Sequence, residues 1–164
     1  VLIFIHPGSG GSAVNLSVDQ FAELAKRLAR KTKAHFVITA GPDELETANS
    51  LASLLLGLEY SVYHSLQGLA SFARFISICD LFISGSTGPL HIAGALNVPT
   101  AAFYPTRRSA TSVRWRTLNE EQKRISFSPK GYDQRATKLE IDIVDCAADI
   151  ADFVVRLQKN NPKT

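Results

Sequence analysis

Five short apolar runs recur along the chain, at residues 1–6, 34–40, 60–64, 81–84 and 100–104. They are apolar nearly throughout, without the polar alternation of a half-exposed sheet, which is the pattern of strands buried on both faces. Segments with helical spacing separate them. Phe21, Leu24, Ala25 and Leu28 share one helical face, as do Leu45, Ala48, Ala52 and Leu55, and then Leu69, Phe72, Ala73 and Ile76. Parallel strands need a crossover between them, and a helix supplies it. The expected class is therefore α/β: a doubly wound parallel sheet, Rossmann-like, forming one domain over residues 1–164.

Local signals agree with this order. Ser17 and Gln20 have the spacing of a capping box before the first helix. Gly41-Pro42 closes the second strand, and Gly57 ends the second helix. Residues 105–138 lose the periodicity and read as a long functional loop with one strand near 124–127. Ile143, Ala147, Ile150, Val154 and Leu157 mark a last helix before the polar tail 158–164.

Composition excludes several classes. A chain of 164 residues with 45% apolar and 20% charged residues buries a real core and is globular. No apolar run reaches the roughly 18 residues needed to cross a bilayer. The opening Val1-Leu2-Ile3-Phe4-Ile5 is too short for a signal peptide and lacks its basic flank. Because it begins on Val inside a strand, the chain is expected to be a piece of something longer. Cys79 and Cys146 have neither redox nor metal-ligand spacing and are expected as buried thiols in a reducing compartment. No cofactor and no metal is expected.

The net charge of +3 is unevenly spread: residues 106–138 hold nine Lys/Arg against Glu120, Glu121 and Asp133. Few aromatics and no nucleic-acid reading module accompany this charge, so nucleic acid is not the expected partner. A basic flank serving phosphorylated small molecules or anionic lipid fits it, as does a solvated surface.

In open parallel sheets, ligands bind beyond the carboxyl ends of the strands. Four segments fall there: 6–13, 41–44, 65–68 and 84–91. The first, His6-Pro7-Gly8-Ser9-Gly10-Gly11-Ser12-Ala13, formally matches the dinucleotide fingerprint at Gly8, Gly10 and Ala13. The helix is capped only at Ser17 and no acidic residue ends the second strand, so a glycine-rich loop whose N–H groups close over phosphate fits better. Glu44 stands near a helix start, where the dipole favours a carboxylate. In the last segment, Ser84-Gly85-Ser86-Thr87-Gly88-Pro89-Leu90-His91, small and hydroxyl residues open a helix with Pro89 near its first position. Such a start offers free N–H groups and the positive dipole end to an anion. Ser86 and Thr87 can cap the helix, bind phosphate, or both, and His91 is placed to donate to a phosphate. Trp115, between Arg114 and Arg116, either stacks on a ligand or anchors the long loop. The sequence contains no nucleophile elbow, metal-ligand cluster or carboxylate pair, and no residue that reads as a general base. A binding site forming half of an active site is the expectation.

Four blocks carry a family resemblance: IFIHPGSGG (3–11), FAELAKRLA (21–29), FVITAGPDELETANSLA (36–52) and GLASFARFISICDLFISGSTGPLHIAGALNVPTAAFYP (68–105). The last is the specific one. In this order they resemble the C-terminal half of the lipopolysaccharide heptosyltransferases, glycosyltransferase family 9, which have the GT-B architecture of two Rossmann-like domains around a cleft. The resemblance implies transfer of heptose from ADP-heptose to the lipid A–core of lipopolysaccharide. It places the enzyme in the bacterial cytoplasm, at the inner-membrane face, with peripheral membrane association. The nucleotide-sugar donor would bind this domain, and the acceptor would be met through an N-terminal domain that also holds the catalytic base, leaving no catalytic residue here. By position, Gly8, Ser9, Gly10 and Gly11 would lie near the diphosphate, Glu44 would face the ribose, and Leu66 and Gln67 would border the adenine. The turn Ser86-Thr87-Gly88-Pro89-Leu90-His91 would be the donor-binding helix start, with Thr87, Gly88 and His91 on the diphosphate.

Two positions depart from the family pattern. Ser86 stands where D-S-G or D-T-G supplies an aspartate, and Val14 stands where K-x-W supplies a lysine. Arg107 and Arg108, just past the fifth strand, are the expected replacement for that positive charge. A different nucleotide-sugar transferase or epimerase, or a non-catalytic nucleotide-binding module, is the alternative.

Overall fold

The computed structural model describes residues 1–10, 14–106, 111–131 and 139–160. In chain order the elements are β1 (Leu2–His6), α1 (Val18–Lys31), β2 (His35–Ala40), α2 (Leu45–Leu54), β3 (Tyr60–His64), α3 (Leu69–Ile76), β4 (Leu81–Gly85), α4 (Gly88–Ala95), β5 (Thr100–Phe103), β6 (Arg124–Phe127) and α5 (Ile143–Asn160). The first five strands fall within one residue of the apolar runs, and β6 lies where a strand was expected inside the long loop. Six strands form one sheet in the order β3-β2-β1-β4-β5-β6, with every pairing parallel. This is the Rossmann-like doubly wound order, and its direction reverses between β1 and β4.

Alternate side chains of each central strand enter opposite layers, as the two-residue period of a strand requires. Ile3, Ile5, Phe36, Ile38, Leu81, Ile83, Ala101 and Phe103 pack with α1, α2 and α5 residues such as Phe21, Leu51 and Ile150. Phe4, Val37, Phe82 and Ala102 pack on the other side with Phe72 and Ile76 of α3 and Leu90 and Ala93 of α4. Both faces being covered explains why β1, β2, β4 and β5 have no polar alternation; β3, at the sheet edge, departs from the expectation, with Ser61 and Val62 exposed.

The capping box on α1 is present. Gln20 N–H donates to Ser17 Oγ (3.2 Å) and Ser17 N–H to Gln20 Oε1 (2.8 Å), while Gln20 Nε2 donates to the Leu139 carbonyl (2.8 Å) and so ties α1 to the approach to α5. Cys79 and Cys146 are buried free thiols; burial pushes them up to about 12 and about 11, which keeps both protonated and inert.

The β5–β6 connection is fastened to the sheet. Asn119 Nδ2 donates to the carbonyls of Val98 (2.8 Å) and Lys123 (2.9 Å), and Arg124 donates to those of Thr117 (3.1 Å) and Asn119 (2.7 Å). Gly94 in α4 lets the connection approach closely: a Cβ there would stand 2.7 Å from Thr117 Cβ.

Candidate functional site

Three adjacent strands change character at their carboxyl ends. At or next to the last residue of β2, β1 and β4 stand Thr39, His6 and Ser84, all of them buried. Buried polar groups need partners, and these form a continuous chain of them. His6 Nδ1 lies 3.0 Å from Thr39 Oγ1, Ser84 Oγ donates to the His6 carbonyl (3.1 Å), and Ser84 Oγ lies 3.0 Å from Thr87 Oγ1. Thr87 is the N-cap of α4, its hydroxyl accepting from Leu90 N–H (3.4 Å), with Pro89 in the first turn. The start of α4 is thus referenced through side chains to the end of β1.

The other nitrogen of His6 reaches the loop after β2. His6 Nε2 stands 3.3 Å from Glu44 Oε2, Gly41 N–H donates to the same oxygen (2.9 Å), and Gly10 N–H donates to Glu44 Oε1 (3.0 Å). Glu44 occupies the N-cap position of α2 but does not cap its own helix. Its carboxylate turns back over the sheet edge and joins the β1–α1 loop to the β2–α2 loop. A Cβ on Gly8 would collide with this carboxylate, and one on Gly41 would lie 2.9 Å from Oε2, so a side chain at either position would displace Glu44 from its hydrogen bonds. Gly10 has φ +57°, a conformation that glycine adopts without strain. Asn15 organises the far side of the first loop, donating to the carbonyls of Pro7 and Gly8 (3.3 Å each), and a Cβ on Gly85 would collide with its side chain.

The donors from His6 and the Gly41 and Gly10 amides hold the Glu44 carboxyl down at about 2 from an ordinary 4.5, against an opposing push from burial. A group depressed in the folded state adds stability that is complete above its unfolded value and is lost as pH falls toward its folded value. The expected result is an acid limb between about pH 4.5 and 2 that Glu44→Gln flattens. Urea unfolding of both proteins across this window checks it; parallel acid limbs would show that the carboxylate is not held in this way.

These groups wall a cavity of about 580 Å³ lined by His6, Ser9, Gly10, Gly41, Glu44, Ser65, Leu69, Phe72, Ser86, Thr87, Gly88 and Pro89, among others. The loops after β1, β2, β3 and β4 therefore converge, as the topology required. Of the residues read from the sequence, Ser9, Gly10, Glu44, Ser86, Thr87, Gly88 and Pro89 line this cavity, and Gly8 packs directly against Glu44. Leu66 and Gln67 are exposed and lie outside its wall, which the β3–α3 loop supplies instead through Ser65, Gly68 and Leu69. Leu90 is fully buried in the core beneath α4. His91 also stands outside the wall, its ring 5.9 Å from Trp115, and burial lowers its pKa, which favours the neutral imidazole. Trp115 is half-exposed, and its backbone carbonyl accepts from Tyr104 OH (2.9 Å), a bond that fastens the long loop at this position. Val14 packs against the core. Gly11, Arg107 and Arg108 lie outside the described residues. Among the described residues no group of three or more His, Cys, Asp or Glu is placed to hold a metal ion. A larger hollow of about 730 Å³ lies at the opposite strand ends, near Val1, Asp80 and Pro99, away from all these loops.

The sequence reading missed His6, Thr39, Ser84 and Asn15. The available signal was the common position of the first three, each a polar residue at the carboxyl end of an otherwise apolar run.

Comparison with known proteins gives the family and the fold. Residues 2–141 match the family model of glycosyltransferase family 9 (heptosyltransferase). A putative glycosyltransferase of Haemophilus influenzae is 44% identical over 153 residues, covering 93% of this chain and 44% of that protein. A lipooligosaccharide heptosyltransferase 2 of Campylobacter jejuni is 27% identical over 122 residues, covering 72% of this chain and 38% of that protein. Among solved structures, Escherichia coli ADP-heptose lipopolysaccharide heptosyltransferase II superposes with a TM-score of 0.74 at 20% identity, over 94% of this chain and 46% of that one. An E. coli heptosyltransferase solved with ADP gives 0.65 at 17% identity, over 95% and 43%. The chain spans less than half the length of these relatives. With the match running from β1 to the approach to α5, the chain belongs to glycosyltransferase family 9.

Proposed function

We propose that this chain is the donor-binding, C-terminal half of a two-domain glycosyltransferase, and that its cavity takes ADP-heptose for transfer of heptose to the lipid A–core of lipopolysaccharide. The observation that carries this reading is the meeting of a helix start, a glycine loop and a fixed carboxylate around one cavity at the sheet's topological switch. Each part suits one portion of a nucleotide sugar. Gly88 N–H, with the Ser86 and Thr87 hydroxyls beside it and the positive dipole end of α4, faces the diphosphate; Pro89 has no N–H and that of Leu90 is taken by Thr87 Oγ1. Gly8, Ser9, Gly10 and Gly11 give a loop able to approach phosphate closely. Glu44 accepts from a ribose hydroxyl, and the β3–α3 loop, with Leu66 and Gln67 at its tip, borders the adenine. His91, one turn into α4 and outside the cavity wall, is assigned to the diphosphate by the family pattern alone. Arg107 and Arg108 supply the positive charge that Val14 does not.

The relatives support the donor, since three of them are named as heptosyltransferases, one with ADP-heptose in its name and another solved with ADP. In this reading the residues of this chain bind and orient; the proton acceptor for the sugar hydroxyl comes from the facing domain. The domain alone therefore binds donor without turning it over. A lipid-anchored acceptor places the enzyme at the cytoplasmic face of the bacterial inner membrane by peripheral contact. No helix among the described residues is long and apolar enough to cross a membrane. Ser86 puts a neutral hydroxyl in the cavity wall where the family pattern has an aspartate, which favours, as a second reading, a sugar other than heptose beyond the diphosphate.

Calorimetric titration with ADP, UDP and GDP tests the assignment. ADP binding that weakens several-fold in Arg107→Ala, Arg108→Ala is expected. Equal affinity for the three nucleotides would remove the adenine assignment, and unchanged affinity in the double variant would remove the arginines from the site. Absence of binding to all three would favour a non-catalytic module.

A further inference from the structure

We infer that His6 is a positioning residue for the donor: its buried side chain orients Glu44 toward a ribose hydroxyl. The inference deepens the ribose reading of Glu44 given above and rests on it.

The ring of His6 is 1% exposed and lies between Phe72 and Phe82, with ring centroids 6.2 and 6.4 Å away. Both nitrogens are engaged. A carboxylate only accepts hydrogen bonds, so Nε2 carries the proton that faces Glu44 Oε2 at 3.3 Å. Thr39 then serves Nδ1 in either state of the ring. Its hydroxyl donates to a neutral Nδ1; it accepts from a protonated one and turns its own hydrogen toward the Ile5 carbonyl, 3.5 Å away. The ring is therefore fixed whichever form it takes.

Counting acceptors shows what this does for Glu44. An ionised carboxylate offers about four lone-pair positions. His6, Gly41 and Gly10 fill three of them, and the fourth, on Oε1, belongs to a side chain that is 19% exposed in the cavity wall. Gly10 and Gly41 donate from glycines in loops, whereas His6 donates from the end of a central strand hydrogen-bonded on both sides. Without His6 the carboxylate keeps, among the described residues, the two loop amides and loses its link to the sheet. The same residue's carbonyl receives Ser84 Oγ, which meets Thr87 at the start of α4. One backbone position thus fixes both the ribose acceptor and the phosphate-side N-cap.

The test uses the full chain and titrates ADP, 2′-deoxy-ADP and 3′-deoxy-ADP into wild type, Glu44→Gln, His6→Leu and His6→Gln. A hydrogen bond to a charged group predicts that wild type prefers ADP over at least one deoxy analogue by roughly 10- to 100-fold. His6→Leu is expected to lose most of that preference while its affinity for the deoxy analogue stays near the wild-type value. His6→Gln, which restores an N–H donor, is expected to recover part of it. A His6→Leu protein that binds all three ligands more weakly by a common factor has lost only structure, and that result overturns the positioning role while leaving the ribose reading intact. A Glu44→Gln protein that keeps the full preference, or a wild type that shows none, overturns the ribose reading and this inference with it. If His6→Leu does not fold, Thr39→Val supplies the comparison, because it frees Nδ1 while leaving the ring in place; an unchanged preference there also overturns the positioning role.

Discussion

Gly8→Ala weakens ADP binding by roughly 10- to 100-fold, the loss expected when one hydrogen bond to a charged group is removed. The added methyl would occupy the space of the Glu44 carboxylate. A glutamate on the surface would swing aside at little cost. This one is held by His6, Gly41 and Gly10, so moving it breaks those contacts together. The start of α4, proposed for the phosphates, is untouched by the substitution, so affinity for inorganic pyrophosphate should fall much less than that for ADP. Calorimetry with both ligands measures the split. Equal weakening of ADP and pyrophosphate would show that the glycine serves the phosphate loop and not the carboxylate.

Phe82→Ala is expected to cost about 3–5 kcal/mol of stability, the range for emptying a buried aromatic site. Phe82 is fully buried in β4, between the sheet and α3–α4, and its ring lies beside that of His6, centroids 6.4 Å apart. A loss of that size is a large share of the roughly 5–15 kcal/mol that holds a domain together. Urea unfolding should show a lower midpoint with an unchanged slope. The surviving folded protein should also bind ADP more weakly, because the ring that orients Glu44 has lost a packing neighbour. A cost below about 1 kcal/mol would mean that the site collapses around the cavity, which close packing opposes.

The strands were legible because burial on both faces removes polar residues from a run, and few other structures do that. The capping box at Ser17 and Gln20 and the N-cap at Thr87 were legible because their partners lie within three residues. Glu44 shows where that legibility ends. Its place at a helix start explained a carboxylate through the dipole alone, yet its side chain ignores α2 and binds the amides of Gly10 and Gly41 and the ring of His6. Gly10 is 34 residues away, and only the parallel register of β1 with β2 brings the two loops together. Thr39, His6 and Ser84 were hidden for the same reason. Each alone is a polar residue ending a strand; side by side they form a hydrogen-bonded row, and strand order is what sets them side by side. The family resemblance pointed to Glu44 and to the turn at Thr87 without the network that joins them.

The central claim is that one nucleotide diphosphate lies across the ends of β1, β2 and β4, with its phosphates at α4 and its ribose at Glu44. Titrating ADP into isotope-labelled protein and following the backbone amide resonances tests this most directly. The account predicts saturable shifts at Gly10, Gly41 and Gly88, with those at Gly10 and Gly41 lost in Glu44→Gln while the shift at Gly88 persists. Shifts confined to the opposite strand ends, near Asp80 and Asn97, would contradict it.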